Sequence, residues 1–277
     1  MIFDGAHFEY GTFSSREFNL VIGHINTSDF IRIAGDIKTE DIFSKRNKRR
    51  YYIGDDYSDA ALSFDAEIVV CNDYALSYQQ RREVEKALFY YNGYKRLYKD
   101  MADDIQGESF EIIDGETYRS YLNCRFTHPE RIEKYDGGTV GYKVTIECDS
   151  PFLWQDAQTK TFTLNHSSAD STSTILLDVD TDTTDYTYPR VAFEIGSAGG
   201  DVSVINMTDD ENRITGFSSL IPSQPFTMNG DTNFISDNCY EKFSDRNFLR
   251  LVDGENEISV TGNVTEISIT WNNRRYL

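Results

Sequence analysis

The sequence predicts a mainly β protein built from two domains. Short segments in which apolar and polar residues alternate recur along all 277 residues, whereas helical periodicity is convincing in one segment only. A proline, Pro151, interrupts an extended pattern just past the middle of the chain. The length suits two domains of ordinary size, each able to bury a sizeable core.

The segment Tyr142–Trp154 marks the predicted boundary between the domains. Residues 142–148 alternate between apolar and polar side chains, which is typical of a half-buried strand. Pro151 cannot donate to a sheet ladder, so the strand should end there. Large apolar residues follow at once and would be costly to leave in water. We therefore predict domains of residues 1–150 and 151–277, with an interdomain anchor formed by Pro151, Phe152, Leu153 and Trp154.

The first domain should contain β-strands and one helix. Residues 1–35 predict hairpins, and residues 64–70 predict another strand. Ser77 and Gln80 have the spacing of a capping box, which begins a helix. Its predicted apolar stripe is Val84, Leu88 and Tyr91, and Gly93 should end it. Further strands are predicted at residues 95–99, 109–113, 118–127 and 142–148.

The second domain should be a β-sandwich. Its sequence lacks a helical pattern of useful length, and short extended segments alternate with Gly, Asn and Asp turns. The predicted strands are residues 159–164, 173–179, 190–195, 202–206, 234–236, 248–251, 257–260 and 266–271.

The charge balance argues against nucleic-acid binding. The formal net charge is −19 and the sequence pI is about 4.5, whereas phosphate contacts need an excess of Lys and Arg. A basic cluster nevertheless interrupts the acidic chain. We interpret this cluster as a solvated loop or a subunit contact in preference to a nucleic-acid or targeting patch. It consists of Lys45, Arg46, Lys48, Arg49 and Arg50.

The sequence contains no signature of an enzyme, a cofactor site or a metal site. The four histidines are scattered, and no known hydrolase or nucleotide-binding motif surrounds them. The run from Asp178 to Asp185 starts like a calcium loop, but Thr183 replaces the required Gly. A glycosidase would need two facing carboxylates, and no pair is marked out. These absences favour an assembly or binding protein.

Cysteine usage and the N-terminus predict a soluble protein made in a cytoplasm. Cys71, Cys124, Cys148 and Cys239 are widely spaced, so we expect buried, reduced thiols. The first residues show neither a basic n-region nor an apolar run. No stretch approaches the roughly 18 apolar residues of a membrane-spanning helix.

Several segments together resemble the distal tail protein (Dit) family of long-tailed phages (siphophages) that infect Gram-positive bacteria. They are FDG followed by REFNLVI, the helix leading into YYNGYKRLYKD, the strand ending in ECDSPFLW, LRLVDGENEISVTG, and the terminal ITWNNRRYL. Each segment is moderately specific alone. Their order and spacing cover most of the chain, and the strand followed by Ser-Pro and aromatics is the most telling.

The resemblance implies a baseplate hub in the virion. The first domain would be a barrel-like or sandwich-like ring domain of a homo-hexamer that continues the tail tube, and the second a galectin-like β-sandwich that projects outward. The implied partners are the major tail (tube) protein, the tape-measure protein and the tail-associated lysin or fibre protein, often with a receptor-binding protein. DNA would pass through the ring, and an acidic lumen would repel it.

Carbohydrate binding is the alternative to a purely structural role. A galectin-like fold alone does not imply sugar binding, because function lies in sites. The second domain lacks a His-x-Asn-Pro-Arg segment, and Trp271 is its only tryptophan after Trp154. Exposed aromatics such as Tyr186 and Tyr188 would have to bind a host cell-wall glycan. A wall hydrolase is a third and weaker hypothesis.

Overall fold

The structure is a computed structural model that describes residues 5–26, 36–44, 47–56, 61–71, 74–104, 107–223, 225–236 and 240–276. The chain divides into two compact units. Unit 1 comprises residues 1–155 together with 275–277, and unit 2 comprises residues 156–274. The chain therefore leaves unit 1 a few residues after Pro151, and its last residues return to unit 1.

Unit 1 is mainly antiparallel sheet with one α-helix in its described residues. Its main sheet has the order β2-β1-β7-β9-β10-β6-β3, and β8 and β11 also pair with β9. The elements are β1 (Phe8–Tyr10), β2 (Phe13–Ser14), β3 (Leu20–Asn26), β4 (Asp36–Ser44), β5 (Asn47–Asp56), β6 (Ser63–Val70), α1 (Tyr78–Leu88), β7 (Lys95–Lys99), β8 (Phe110–Ile113), β9 (Glu116–Glu133), β10 (Thr139–Cys148) and β11 (Leu153–Gln155).

Strands β9 and β10 form a long hairpin at the centre of this sheet. β9 continues past the predicted residue 127, and the register shifts between Lys143 and Thr145 of β10. The shift lies beside His128, whose φ of 50° is left-handed. Such an irregularity bends the strand locally while the ladder continues beyond it.

Helix α1 begins where the sequence predicts and ends earlier. Ser77 and Gln80 form the capping box, with Gln80 N–H donating to Ser77 Oγ at 3.2 Å. The helix ends at Leu88, and Gly93 lies in the following turn, so the prediction that Gly93 ends the helix is wrong. Lys95 Nζ donates to the Ala87 carbonyl at 3.2 Å and satisfies an acceptor of the last turn.

The core of unit 1 lies between the sheet and this helix. Val84 and Leu88 are fully buried on the helix side, as the periodicity predicts. They pack in one cluster with sheet residues from β1, β3, β6, β7, β9 and β10. The aromatic members contact one another closely, with Tyr10 and Phe126 ring centroids 4.6 Å apart.

Strands β4 and β5 form a separate two-stranded sheet. They pair with each other from Asp36 opposite Asp56 to Ser44 opposite Asn47. Neither strand pairs with any other strand within the described part of the chain. The sequence pattern of residues 36–56 does not predict this hairpin.

Unit 2 consists of two antiparallel sheets. The five-stranded sheet has the order β12-β20-β14-β17-β18, and the four-stranded sheet β13-β19-β15-β16. Its strands are β12 (Gln158–Thr163), β13 (Thr172–Val179), β14 (Arg190–Ile195), β15 (Gly200–Asn206), β16 (Ile214–Leu220), β17 (Phe226–Asn229), β18 (Phe234–Ile235), β19 (Gly254–Gly262) and β20 (Val264–Trp271). The last short strand, β21 (Arg274–Arg275), lies where the chain returns to unit 1, and it pairs with β11 of that unit.

One hydrophobic core joins the inward faces of the two sheets of unit 2. Alternate residues of β13, β14, β19 and β20 are buried, which is the period expected of a sandwich. Phe193 and Phe226 stack at its centre, with ring centroids 4.7 Å apart. Trp271 is also buried, and its indole N–H donates to Asn273 Oδ1 at 2.9 Å.

The mainly β fold class is confirmed, while several details differ. Residues 248–251 form no strand but an extended segment, in which the Arg250 carbonyl accepts from Asn206 Nδ2 at 3.0 Å. Cys71 is exposed, which contradicts the expectation of buried thiols, whereas Cys124 and Cys148 are buried and free. Cys239 lies outside the described residues. No helix in the described ranges is long and apolar enough to cross a membrane.

Candidate assembly surfaces

The segment after β10 is tied into unit 1 by hydrogen bonds. The Ser150 carbonyl accepts from Leu62 N–H at 3.2 Å, and Ser150 Oγ accepts from the Trp154 indole N–H at 2.9 Å. Phe152 and Leu153 are buried, whereas Pro151 and Trp154 are half-buried. Leu153 belongs to the core of unit 1. This segment therefore gains most of its apolar burial through Phe152 and Leu153.

A charged cluster lies at the end of this segment. Gln155 is buried and donates from Nε2 to Glu111 Oε2 at 2.8 Å. Arg275 Nη2 donates to the same carboxylate oxygen at 3.0 Å. The Phe152 and Tyr276 rings lie 6.1 Å apart. Residues close to the C-terminus thus stabilise the point at which the chain leaves unit 1.

The predicted basic cluster falls on the β4–β5 hairpin. Lys48, Arg49 and Arg50 lie on β5. The interpretation of the cluster as a solvated loop is therefore wrong for these three residues. Lys45 and Arg46 lie outside the described residues. The three described residues lie near the start of β5, and β4 and β5 have no other strand beside them in the described chain.

Three exposed tyrosines, which we call the tyrosine patch, lie on two segments that contact each other, residues 74–78 and the turn between β9 and β10. It comprises Tyr74, Tyr78 and Tyr135, which are 79%, 71% and fully exposed. The Leu76 N–H donates to the Thr139 carbonyl at 2.8 Å, which holds residues 74–76 against the hairpin tip. Exposed aromatic residues grouped in this way are typical of protein interfaces.

The outward face of β6, β9 and β10 carries mainly acidic side chains, and we call it the acidic face. Thr145 Oγ1 donates to Asp65 Oδ1 at 2.9 Å. The ammonium of Lys143 lies 3.6 Å from Glu67 Oε1. A shallow open depression of about 360 Å³ lies on this face, next to His128. The charged residues that alternate onto this face are Asp65, Glu67, Glu130 and Glu147, opposed by Arg125 and Lys143.

The aromatics proposed for sugar binding differ in their exposure. Tyr188 is 38% exposed, but Tyr186 is half-buried. The guanidinium of Arg250 covers one face of the Tyr186 ring at 3.7 Å from its centroid. One face of the Tyr186 ring is thus occupied, and Tyr188 is the more exposed of the two.

The aspartate run in unit 2 forms part of an ordinary connection between β13 and β14. The backbone N–H of Thr181 donates to Asp253 Oδ1 at 2.9 Å. The Thr183 side chain, which replaces the Gly of a calcium loop, is buried. Across the described ranges, no group of three or more His, Cys, Asp or Glu side chains is placed to hold a metal ion.

Two family models match the chain, one after the other. A model described as "Phage tail protein N-terminal domain" matches residues 3–150, and one described as "Phage tail C-terminal domain" matches residues 152–271. The first alone covers more than half of the chain. The fold and these matches define a structural component of a phage tail, and the chain belongs to this family of phage tail proteins.

Solved structures with a similar fold include a protein of a phage adsorption hub and phage baseplates. Dit of phage SPP1, described as a paradigm of the hub adsorption apparatus in phages that infect Gram-positive bacteria, has a TM-score of 0.62 at 9% identity, and the match covers 97% of this chain and 98% of that one. The baseplate of phage P2 in its activated conformation with Ca gives 0.52 at 9% identity, covering 99% and 98%. The same baseplate with Sr gives 0.51, again at 9% identity, covering 96% and 97%.

These findings confirm the distal tail resemblance at the level of family and fold. No curated protein matches the chain in sequence. The sequence does not reveal the tyrosine patch, because Tyr74 and Tyr135 are 61 positions apart and the segments that carry them meet only in the fold. The number of tyrosines, 18 in the chain, was the available signal.

Proposed function

We propose that this protein is a non-enzymatic hub of a phage tail tip or baseplate. Six copies would form a ring that joins the tail tube to the tail-associated and receptor-binding components. Residues 1–150 would form the ring domain and residues 151–277 the outer, galectin-like sandwich. The segment Pro151–Trp154 would be the anchor between them. The family match and the hub fold of SPP1 Dit support this proposal.

The observation that supports a ring is the β4–β5 hairpin, which pairs with no other strand in the described chain. A two-stranded hairpin alone in water is marginally stable, and its edges carry unpaired backbone groups. Within the described chain no strand covers these edges. A neighbouring copy would supply the missing surface, and a ring provides one neighbour on each side for every subunit.

Charge complementarity supports the same arrangement. Strand β5 carries Lys48, Arg49 and Arg50 of the basic cluster, whereas the whole chain has a formal net charge of −19. Basic side chains that dock on an acidic neighbour gain favourable electrostatics and a defined orientation. The tyrosine patch offers a second contact area, for the next subunit or for the tail tube.

The acidic face would line the channel of the ring. Its four carboxylates outnumber its two cationic side chains, and a lumen of this sign repels DNA phosphates. DNA would pass without binding specifically. The outer domain would be a docking platform, and the partners would be the major tail protein, the tape-measure protein, and the tail-associated lysin or fibre protein, with or without a receptor-binding protein.

Native mass spectrometry of the purified chain tests the ring and the hairpin contact. The unmodified protein should form hexamers as its concentration rises. For Arg49→Glu, the protein concentration needed for assembly should rise at least tenfold. The monomer should remain folded, because Arg49 stands opposite Ile42 and not opposite a charged residue. Arg50 is less suitable, because it stands opposite Asp41 and its reversal would place like charges together.

The matched control is Arg82→Glu on the exposed side of α1, which makes the same charge change away from the hairpin. It should assemble like the unmodified protein. Equal assembly of both variants would contradict the hairpin contact. A chain that remains monomeric at every concentration, also with its tail-tube partner, would contradict the ring.

Carbohydrate binding by unit 2 is the alternative, and an open polar groove favours it. The groove measures about 320 Å³ and carries hydroxyl and carboxylate groups from Ser203, Ser218, Ser244, Asp201 and Asp245. Such groups match sugar hydroxyls. Saturable binding to host cell-wall glycans that Asp245→Ala and Ser203→Ala abolish would support an adhesin, and the absence of binding would remove this alternative.

A further inference from the structure

Two of the cysteines lie opposite each other in the central hairpin of unit 1. Cys124 of β9 and Cys148 of β10 are direct partners in the antiparallel register. Both side chains are buried in the core of the unit, and both are free thiols. The exposed Cys71 is in a different environment, since it follows β6 at the surface.

Backbone hydrogen bonds identify the kind of strand pair that they form. The next residue along, Asp149, donates its N–H to the Asn123 carbonyl at 3.0 Å, so residues 149 and 123 are a hydrogen-bonded pair. Cys148 instead donates its N–H away from β9, to the Leu62 carbonyl at 2.8 Å. Cys124 and Cys148 therefore occupy a non-hydrogen-bonded position, where side chains approach each other most closely.

This position has the dimensions that a disulfide needs. Opposed residues at non-hydrogen-bonded sites have Cα atoms about 4.5 Å apart, and disulfides span Cα separations of about 4.4–6.8 Å. The two thiols also interact with each other. Burial first, and then hydrogen bonding to the Cys148 side chain, raise the pKa of the Cys124 thiol well above its usual value.

We propose that Cys124 and Cys148 are a redox modification site that forms a cross-strand disulfide under oxidising conditions. In the reducing interior of a cell the pair would remain a dithiol. The oxidant is a low-molecular-weight disulfide such as oxidised glutathione. The chemistry does not depend on the proposed function, and only its timing, after release of the particle from the host, rests on it.

The reaction proceeds by two thiol–disulfide exchanges. Cys148, as thiolate, attacks one sulfur of the external disulfide, which forms a mixed disulfide and releases one external thiolate. Cys124 then loses its proton and attacks the Cys148 sulfur, which releases the second external thiolate. One protein disulfide forms, one external disulfide is consumed, and two external thiols are produced. Because both sulfurs are buried, oxidation requires local opening at the end of β10.

The site is well placed to fasten the end of the ring domain. Cys148 is the last residue of β10, and Ser150 follows two positions later with its hydrogen bonds to Leu62 and Trp154. A bond from Cys148 to β9 would hold β10 in place immediately before the chain continues to unit 2. It would also close the β9–β10 loop in the unfolded chain, which is the main route by which disulfides stabilise.

The test uses the full-length chain with Cys71→Ser and Cys239→Ser, so that Cys124 and Cys148 are the remaining thiols. The folded protein is incubated with reduced or oxidised glutathione, denatured, alkylated and weighed by mass spectrometry. After reduced glutathione it should take up two alkyl groups. After oxidised glutathione it should take up none, and digestion should yield one disulfide-linked peptide pair. Its melting temperature should rise by about 5 °C.

Two controls keep the result decisive. A further Cys124→Ala change should leave one thiol and abolish the rise in melting temperature. If the Cys71→Ser, Cys239→Ser variant does not fold, peptide mapping of the unmodified chain gives the same assignment. Two thiols that remain alkylatable after oxidised glutathione, under conditions that oxidise a denatured sample, would overturn the proposal. This readout needs no assembly, so its failure is distinct from failure of the proposed function.

Discussion

At the scale of single residues, Arg250 and Asp209 form a buried ion pair in unit 2. Arg250 Nε and Nη2 donate to the two Asp209 oxygens at 2.6 and 2.8 Å. Their side chains are 7% and 2% exposed, and the Tyr186 ring covers the guanidinium. Removing one partner of such a pair leaves an uncompensated buried charge, which costs more than the pair itself contributes.

We expect Asp209→Asn to destabilise unit 2 by roughly 3–5 kcal/mol, because the guanidinium loses its buried counterion and keeps only an exposed one. Denaturant unfolding would measure the loss of stability, and amide hydrogen exchange would show that the loss lies in unit 2. The matched control is Glu211→Gln, since Glu211 also contacts Arg250 at 3.0 Å but is 64% exposed. The control should cost less than about 1 kcal/mol. Equal losses in both variants would contradict the importance of burial.

The carboxyl group of Asp104 gives unit 1 an acid-sensitive contact. Burial alone would raise its pKa, but hydrogen bonds from Ser109 and the Lys99 ammonium outweigh burial and lower it to about 2. Ser109 N–H donates to Asp104 Oδ2 at 2.7 Å, and Lys99 Nζ lies 3.0 Å from Oδ1. The ionised carboxylate is thus the stabilised form.

Because the pKa of Asp104 is lower in the folded state, its contribution is complete above the ordinary value of 3.8 and is lost as the pH falls toward about 2. The contribution is about 2 kcal/mol. Unfolding curves at pH values between 5 and 2 should show a steeper loss for the unmodified chain than for Asp104→Asn, which starts less stable at neutral pH. Parallel curves would contradict this assignment.

At the scale of elements, the start of α1 could be predicted from sequence but its end could not. The capping box depends on residues three positions apart, Ser77 and Gln80, and local patterns reveal such signals. The end depends on Lys95, which reaches back to the Ala87 carbonyl, and on Tyr91, whose ring packs 5.6 Å from Tyr10. Those contacts are tertiary and override the local signal from Gly93.

The β4–β5 hairpin could not be recognised from its composition. Charged residues interrupt the alternation of residues 36–56, so the segment reads as a solvated loop. The predicted strand at residues 248–251 fails for a different reason. There the Asn206 side chain, and not a neighbouring strand, binds the Arg250 carbonyl, and Leu251 makes an isolated bridge to Thr187.

In the junction segment Pro151–Trp154, the smaller Leu153 should contribute more to stability than the larger Trp154. Trp154→Ala should cost roughly 3–5 kcal/mol if the indole is fully buried, but it is half-buried. Leu153 is buried in the core, so Leu153→Ala should cost roughly 2–5 kcal/mol. Trp154→Phe, which removes the hydrogen bond to Ser150, should cost about 1 kcal/mol.

Thermal unfolding of Leu153→Ala and Trp154→Phe measures which variant loses more stability. Leu176→Ala is a matched control for Leu153→Ala, because Leu176 is an exposed leucine on a strand of unit 2. It should leave the melting temperature nearly unchanged. A larger fall in melting temperature for Trp154→Phe than for Leu153→Ala would contradict this prediction and show that the tryptophan stabilises the junction segment more than the leucine does.

At the scale of the whole molecule, sequence periodicity predicts two β units but not how the chain ends. Arg275 binds Glu111 from 164 positions away, which returns the last residues to unit 1. No local pattern marks a contact of that separation. The tyrosine patch is similar in this respect, because the segments that carry Tyr74 and Tyr135 meet only after the β9–β10 hairpin has folded.

The hub role is a property of many copies, so the physical chemistry of a single chain does not specify it. Alternation, caps and burial determine how each unit folds. The ordered segments that resemble the distal tail family imply a hexamer. The β4–β5 hairpin, which pairs with no other strand in the described chain, supports the proposal that copies contact one another. The central claim is therefore that this chain forms a ring at the tip of the tail.

Electron microscopy of intact particles tests this claim most directly. We expect a six-fold ring at the distal end of the tail tube into which six copies of unit 1 fit, with β4–β5 of each copy against its neighbour and the acidic face toward the channel. Density of another symmetry at that position, or six copies with free β4–β5 hairpins and a basic channel wall, would contradict the account.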